Sequence, residues 1–166
     1  AGAQVAINSL NQEEVDQALS DLEEATVTFV ASKQHGTYDE TKAYVYDQAE
    51  LEAALEKEEV TNIYFTNDIT TNKQILVTKA NKVILGQGKT LFAAEGMTYQ
   101  EPNKSVLTVI NANGVKISNL TVDADAANTN EKDHGWDGVY AIQVYVSENV
   151  TLDGVTLKNG DAGLLV

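Results

Sequence analysis

Apolar residues recur at two different periods along this chain. Between residues 15 and 25 they fall at Val15, Ala18, Leu19, Leu22 and Ala25, the spacing of one helix face. Asn11 precedes them as a cap, and Glu14 three residues later completes a capping-box pair. The opposite face carries Glu13, Asp16, Asp21, Glu23 and Glu24 and reads as a solvated surface. A helix this short is marginal alone and needs something to dock on. "TVTFVASK" (26–33) then reads as extended, "HGTYDE" as a turn and "AYVYD" (43–47) as a short strand. Asp47 caps a second helix, with Glu50 at its third position and Leu51, Ala54 and Leu55 along one side.

After Val60 the period shortens to that of strands, rich in Val, Ile, Thr and Tyr and broken by Asn and Gly. The phrase Val115-Lys116-Ile117-Ser118-Asn119-Leu120-Thr121-Val122 returns as Val150-Thr151-Leu152-Asp153-Gly154-Val155-Thr156-Leu157. Three pairs of valines, Val77/Val83, Val109/Val115 and Val144/Val150, are each six residues apart. Val83 to Val115 is 32 residues, Val115 to Val150 is 35, and Val144 to Val166 is 22. A basic repeat of 22 residues explains all three intervals if the two earlier turns carry insertions. Those insertions are "AAEGMTYQEPNKS" after the strand at Leu91 and "DADAANTNEKDHGWDG" after Val122.

Three short strands per 22 residues suit one coil of a right-handed parallel β-helix, an all-β solenoid. Like positions then stack into columns about 4.8 Å apart. Val115, Ile117, Leu120 and Val122 point inward, as do Val150, Leu152, Val155 and Leu157. Between them, Ser118-Asn119 and Asp153-Gly154 form two-residue bends, where Asn and Gly tolerate a left-handed backbone. Gly86-Gln87 holds the same place one coil earlier, with a one-residue slip after it. An antiparallel meander would alternate similarly but needs no fixed return. Both insertions leave at the same corner, so they are expected to lie side by side.

"TNIYFTNDITTNKQILVTKANKVILGQGKTLF" followed by "VLTVINANGVKISNLTVD" resembles the opening coils of pectate-lyase-like right-handed β-helix proteins. The resemblance runs from about residue 43 to 166, and "DQAELEAALEK" looks like the helix that caps such a barrel. "NQEEVDQALSDLEEATVTFVASK" resembles the last helix of helical spacer modules in Gram-positive cell-surface proteins. The implied organisation is a helical linker over residues 1–36, then the cap and about three to four coils over 37–166. The chain is expected to be a fragment, cut as "GLLV" begins a fourth coil.

In pectate lyases the first-strand face carries acidic calcium ligands and an Arg or Lys that removes the substrate proton. Here alternation leaves Leu76, Thr78, Thr108, Ile110, Gln143, Tyr145 and Leu165 facing out, and none is acidic or basic. The family's metal-and-base arrangement therefore transfers to no residue of this face, since acid–base work needs positioned titratable groups. If the parent protein is a polysaccharide lyase or glycosidase, its catalytic residues lie beyond residue 166.

Charge narrows the partners. The net charge of -14 and pI near 4.3 argue against nucleic acid, which calls for clustered cations. All 11 basic residues are Lys, so the bidentate guanidinium fork is missing. Without Cys there is no disulfide, thiolate chemistry or Cys-bound zinc. No apolar run approaches the roughly 18 residues of a membrane span. No secretory signal is visible.

The densest chemistry is in the second insertion. Asp123, Asp125, Asp133 and Asp137 are hard oxygen ligands that can hold calcium, although their spacing is not that of an EF-hand. The plainer reading is a solvated acidic loop. His134 and His35 read as polar surface. Tyr99 in the first insertion, Trp136 in the second, and Tyr140 and Tyr145 on the adjoining strand can form an aromatic row for sugar rings. Alternatively, the aromatics pin a long loop to the wall. No other cofactor is implied. The sequence thus points to a secreted or cell-surface bacterial module that is structural or contacts polysaccharide. The rivals are the leading part of a polysaccharide lyase or glycosidase, and a self-associating S-layer component joined through its open coil end.

Overall fold

The computed structural model describes residues 15–17, 19, 21, 36–99, 104–125 and 138–166. The chain divides into two units, residues 1–34 and 35–166. In the first unit, residues 15–17, 19 and 21 are helical, and Gln17 Nε2 donates to Asp21 Oδ1 at 2.6 Å. Asn11, the extended stretch 26–33 and His35 lie outside the described residues.

The second unit opens with β1 (Gly36–Asp39) and β2 (Lys42–Val45), an antiparallel pair. The expected turn at "HGTYDE" is therefore mostly strand, with only Glu40 and Thr41 turning. Hairpin pairing with β2 across the turn at Glu40 and Thr41 overrides the turn-forming composition. Helix α1 (Gln48–Glu56) follows, capped as the sequence predicts. Asp47 Oδ1 accepts from Glu50 N at 2.9 Å, and Glu50 Oε2 accepts from Tyr46 N at 2.9 Å. Leu51, Ala54 and Leu55 are buried against the strands below.

Twelve further strands run in rotation among three sheets. β3 (Asn62–Phe65), β6 (Val83–Leu85), β9 (Lys116–Ser118) and β12 (Thr151–Asp153) extend the first sheet from β2, all parallel. β4 (Ile69–Lys73), β7 (Thr90–Thr98), β10 (Thr121–Asp123) and β13 (Thr156–Lys158) form the second. β5 (Ile75–Val77), β8 (Ser105–Ile110), β11 (Tyr140–Tyr145) and β14 (Ala162–Leu165) form the third. Every third strand returns beside its predecessor, and the only antiparallel pair among the described residues is β1–β2. Mostly parallel sheets with few helices are compatible with a parallel β-helix.

The expected columns form. Ile84, Ile117 and Leu152 align, as do Leu91, Val122 and Leu157, and Val77, Val109 and Val144. Val115, Ile117, Leu120 and Val122 are fully enclosed. Val150, Leu152, Val155 and Leu157 pack on the same core but stay half-buried, because β12, β13 and β14 are paired on one side only.

One alignment differs by a residue. Val83 pairs with Lys116, not Val115, so Lys82 occupies the column position that valine holds in the next two rounds. Lys82 is 1% exposed. Its ammonium donates to the carbonyls of Ala54, Lys57 and Val60, at the end of α1. The helix end needs donors that valine cannot supply.

Left-handed backbone falls at the bends expected from sequence and also at a second set of corners ahead of the first sheet. Asn81, Gly114 and Asn149 (φ 59, 72 and 57°) precede the first sheet, and Asn119 and Gly154 (φ 48 and 61°) follow it. The bend after Leu85 holds four residues, Gly86 to Lys89, two more than its successors and one more than the expected slip. Val146 is the exception in chemistry: φ is 48° at a β-branched residue, 65% exposed, where the round before places Asn111 at φ 52°. Val146→Asn is expected to stabilise by about 1 kcal/mol, raising Tm by about 2–4 °C. An unchanged or lower melting temperature would mean that the site holds no strain.

Candidate functional site

The resemblance read from the sequence points to the outer face of the third sheet as the candidate ligand face. Register puts Leu76, Thr108, Gln143 and Leu165 in one row across β5, β8, β11 and β14. Leu76 and Leu165 at its ends are half-buried, but the row is closed at its centre. Thr108 and Gln143 are buried, with Gln74 and Ser105 beside them. Gln74 Nε2 donates to Ser105 Oγ at 3.1 Å and to Thr108 Oγ1 at 2.5 Å, and the two hydroxyls bond each other. Gln143 Oε1 is buried without a hydrogen bond. Amides and hydroxyls fix geometry and do not exchange protons near neutrality, so this network binds the rounds together and is no acid–base apparatus.

Titratable groups gather at one end instead. Glu52 and Glu56 from α1, Lys73 from β4, and Gln74 and Leu76 line an open cleft of about 200 Å³. Lys73 Nζ lies 2.9 Å from Glu52 Oε2. The pair is partly exposed, and such pairs contribute about 0–1 kcal/mol. Sequence reading missed it, since Glu52 looks like any solvent-facing residue of a cap helix. Only docking of the helix brings it to Lys73.

Of the aromatics foreseen as a row, Tyr99, Tyr140 and Tyr145 lie among the described residues. Tyr99 is half-buried and packs against the core. Tyr140 opens β11 opposite Ser105 and is half-buried, whereas Tyr145 closes the strand and is 42% exposed. An odd separation of five residues puts these two on opposite faces of the strand. Trp136, His134, Asp133 and Asp137 lie outside the described residues. Asp123 Oδ1 accepts from Asp125 N at 3.1 Å and from Asn159 Nδ2 at 2.8 Å, so this carboxylate pins a turn. Asp125 sits at φ 39°. Among the described residues no group of three or more His, Asp or Glu is placed to hold a metal, and no helix is long and apolar enough to cross a membrane.

The aromatic contact the sequence reading missed is on the first sheet. Tyr44 and Tyr64 are register partners whose rings stack with centroids 4.8 Å apart and planes at 12°. The alternation "AYVY" and "IYF" carried the signal. Stacking buries one face of each ring against the other.

Residues 42–164 match the family model described as "Putative pectate lyase-like adhesive domain". The chain belongs to this family. The adhesive domain begins at the first residue of β2 and ends within β14, so it takes in α1 and the parallel strands of all three sheets. The helical stretch likened to spacer modules lies outside it. No curated protein and no solved structure gives a match.

Proposed function

We propose that this adhesive domain is a right-handed parallel β-helix that serves as a non-catalytic, polysaccharide-contacting module on a bacterial surface, joined to its neighbours by a helical linker over residues 1–36. The carrying observation is the centre of the third sheet's outer face, where Thr108 and Gln143 are buried among neutral amides and hydroxyls in place of the carboxylates and base that a lyase would display. Support for the winding comes from the strict rotation of strands among the sheets. A parallel return within one sheet is right-handed in about 98% of cases.

The test is a glycan array probed with the wild-type chain and with Tyr145→Ala and Trp136→Ala. Retention of a glycan without cleavage is expected, weakened about tenfold by loss of a stacking ring. Release of unsaturated uronate products would overturn the non-catalytic reading, and no retained glycan would leave a scaffold only.

A further inference from the structure

The second sheet turns an ordered row of hydroxyls to solvent. Thr90, Thr121 and Thr156 are in register in three successive rounds, about 4.8 Å apart. Their outward column adjoins a second, Thr70, Phe92, Asp123 and Lys158, two residues further along each strand. Thr61, Thr66, Thr71 and Thr98 each return the hydroxyl to a backbone carbonyl. Among the described residues, the hydroxyls of Thr70, Thr90, Thr121 and Thr156 make no such bond. All four side chains are exposed or half-exposed. Phe92 stands among them 37% exposed, an aromatic ring on an otherwise polar strip.

We infer that this strip is a docking track for one extended, uncharged glycan chain lying across the strands. A polysaccharide running that way repeats at nearly the interval of the rungs, so successive sugars meet successive threonine hydroxyls, each able to donate and accept. Phe92 supplies the apolar surface against which one ring face is buried, and the threonines fix register. Charge selects the class. The chain carries a net charge of -14, and Asp68 and Asp123 stand in or beside the strip, offset only in part by the ammonium of Lys158 in the second column, so the field disfavours a polyuronate and leaves a neutral glycan unaffected. At physiological salt that repulsion acts over about 8 Å, which covers a ligand in contact.

The inference rests on the polysaccharide-contacting reading but places the contact on a different sheet from Tyr145. The experiment uses the full chain in affinity electrophoresis against soluble β-glucan, xylan, galactan, mannan and polygalacturonate, with and without calcium. Retardation by a neutral polymer is expected, weakened about tenfold or more by Phe92→Ala and severalfold by the isosteric Thr121→Val and Thr156→Val. Melting curves should match wild type. Retention untouched by these variants but lost in Tyr145→Ala overturns the track and leaves the proposed function standing. Preference for polygalacturonate overturns the charge selection. Retention by no polymer removes the polysaccharide reading itself.

Discussion

Gly86→Ala is expected to lower stability by about 3–5 kcal/mol, among the largest costs of any single change in this domain. A Cβ at Gly86 would lie 2.4 Å from Asn119 O and 2.5 Å from both Cα and Cβ of Leu120. Those atoms belong to the backbone and side-chain root of the next round, so no rotamer relieves the contact. The rounds cannot move apart without loss either, because Gly86 N donates to Ser118 O and Gly88 N to Asn119 O, both at 2.8 Å. Leu120, only 1% exposed, fills the space that the missing side chain leaves. Gly88→Ala is the control: nothing lies within 4 Å of its Cβ position, and only φ of +74° opposes the change. Its cost is expected to be about 1–2 kcal/mol. Urea unfolding of both variants checks this, and equal costs would show that close approach of the rounds is not what requires glycine at 86.

Lys82→Met comes next, at about 3 kcal/mol. The ammonium has three donors, and the carbonyls of Ala54, Lys57 and Val60 take all three. No basic residue stands in the last turn of α1, so Lys82 brings the cation that the negative helix end favours from a strand register away. Methionine keeps the packing and orphans three acceptors, and relief from burying a charge offsets part of that loss. Burial holds the Lys82 pKa below 10.5, against an upward pull from Glu58 and Glu59. With the folded value the lower, the unfolded chain binds more protons between that value and 10.5. Wild-type stability therefore rises with pH through this window. The Met variant lacks the group, so the gap between the two widens as pH climbs, while tyrosine ionisation, common to both, cancels. A gap that narrows with rising pH would contradict a buried lysine of lowered pKa.

Much of the fold was written locally. Alternating apolar residues around Ile117 and Leu152, and Asn or Gly at the bends, are demands each strand and corner makes on its own neighbours. The cap was legible for the same reason, since Asp47 and Glu50 satisfy donors within one turn. Lys82 was not, because pattern alone places a valine in that column. The need for a cation arises only once α1 lies over the strands. Strand β1 was hidden likewise, its pairing with β2 outweighing a turn-like composition. At the surface, sequence parity turned Thr108 and Gln143 outward, yet both are buried, because parity carries no information about what covers a residue. The threonine strip was half legible: the repeated phrase already sets Thr121 over Thr156, but the exposure of that face and the hydrogen bonding of its hydroxyls are known only from the structure.

The detours between the second and third sheets share an end point. β10 and β13 end at Asp123 and Lys158 while β7 runs on past the aligned Phe92 to Thr98, yet the chain rejoins the third sheet at Ser105, Tyr140 and Ala162 in register whatever lies between. The intervening stretch can be as brief as residues 159–161 or as long as 124–139 without shifting a hydrogen bond on either side. That junction is a natural splice point: foreign segments grafted there would be shown to the outside while the framework behind them keeps its pitch.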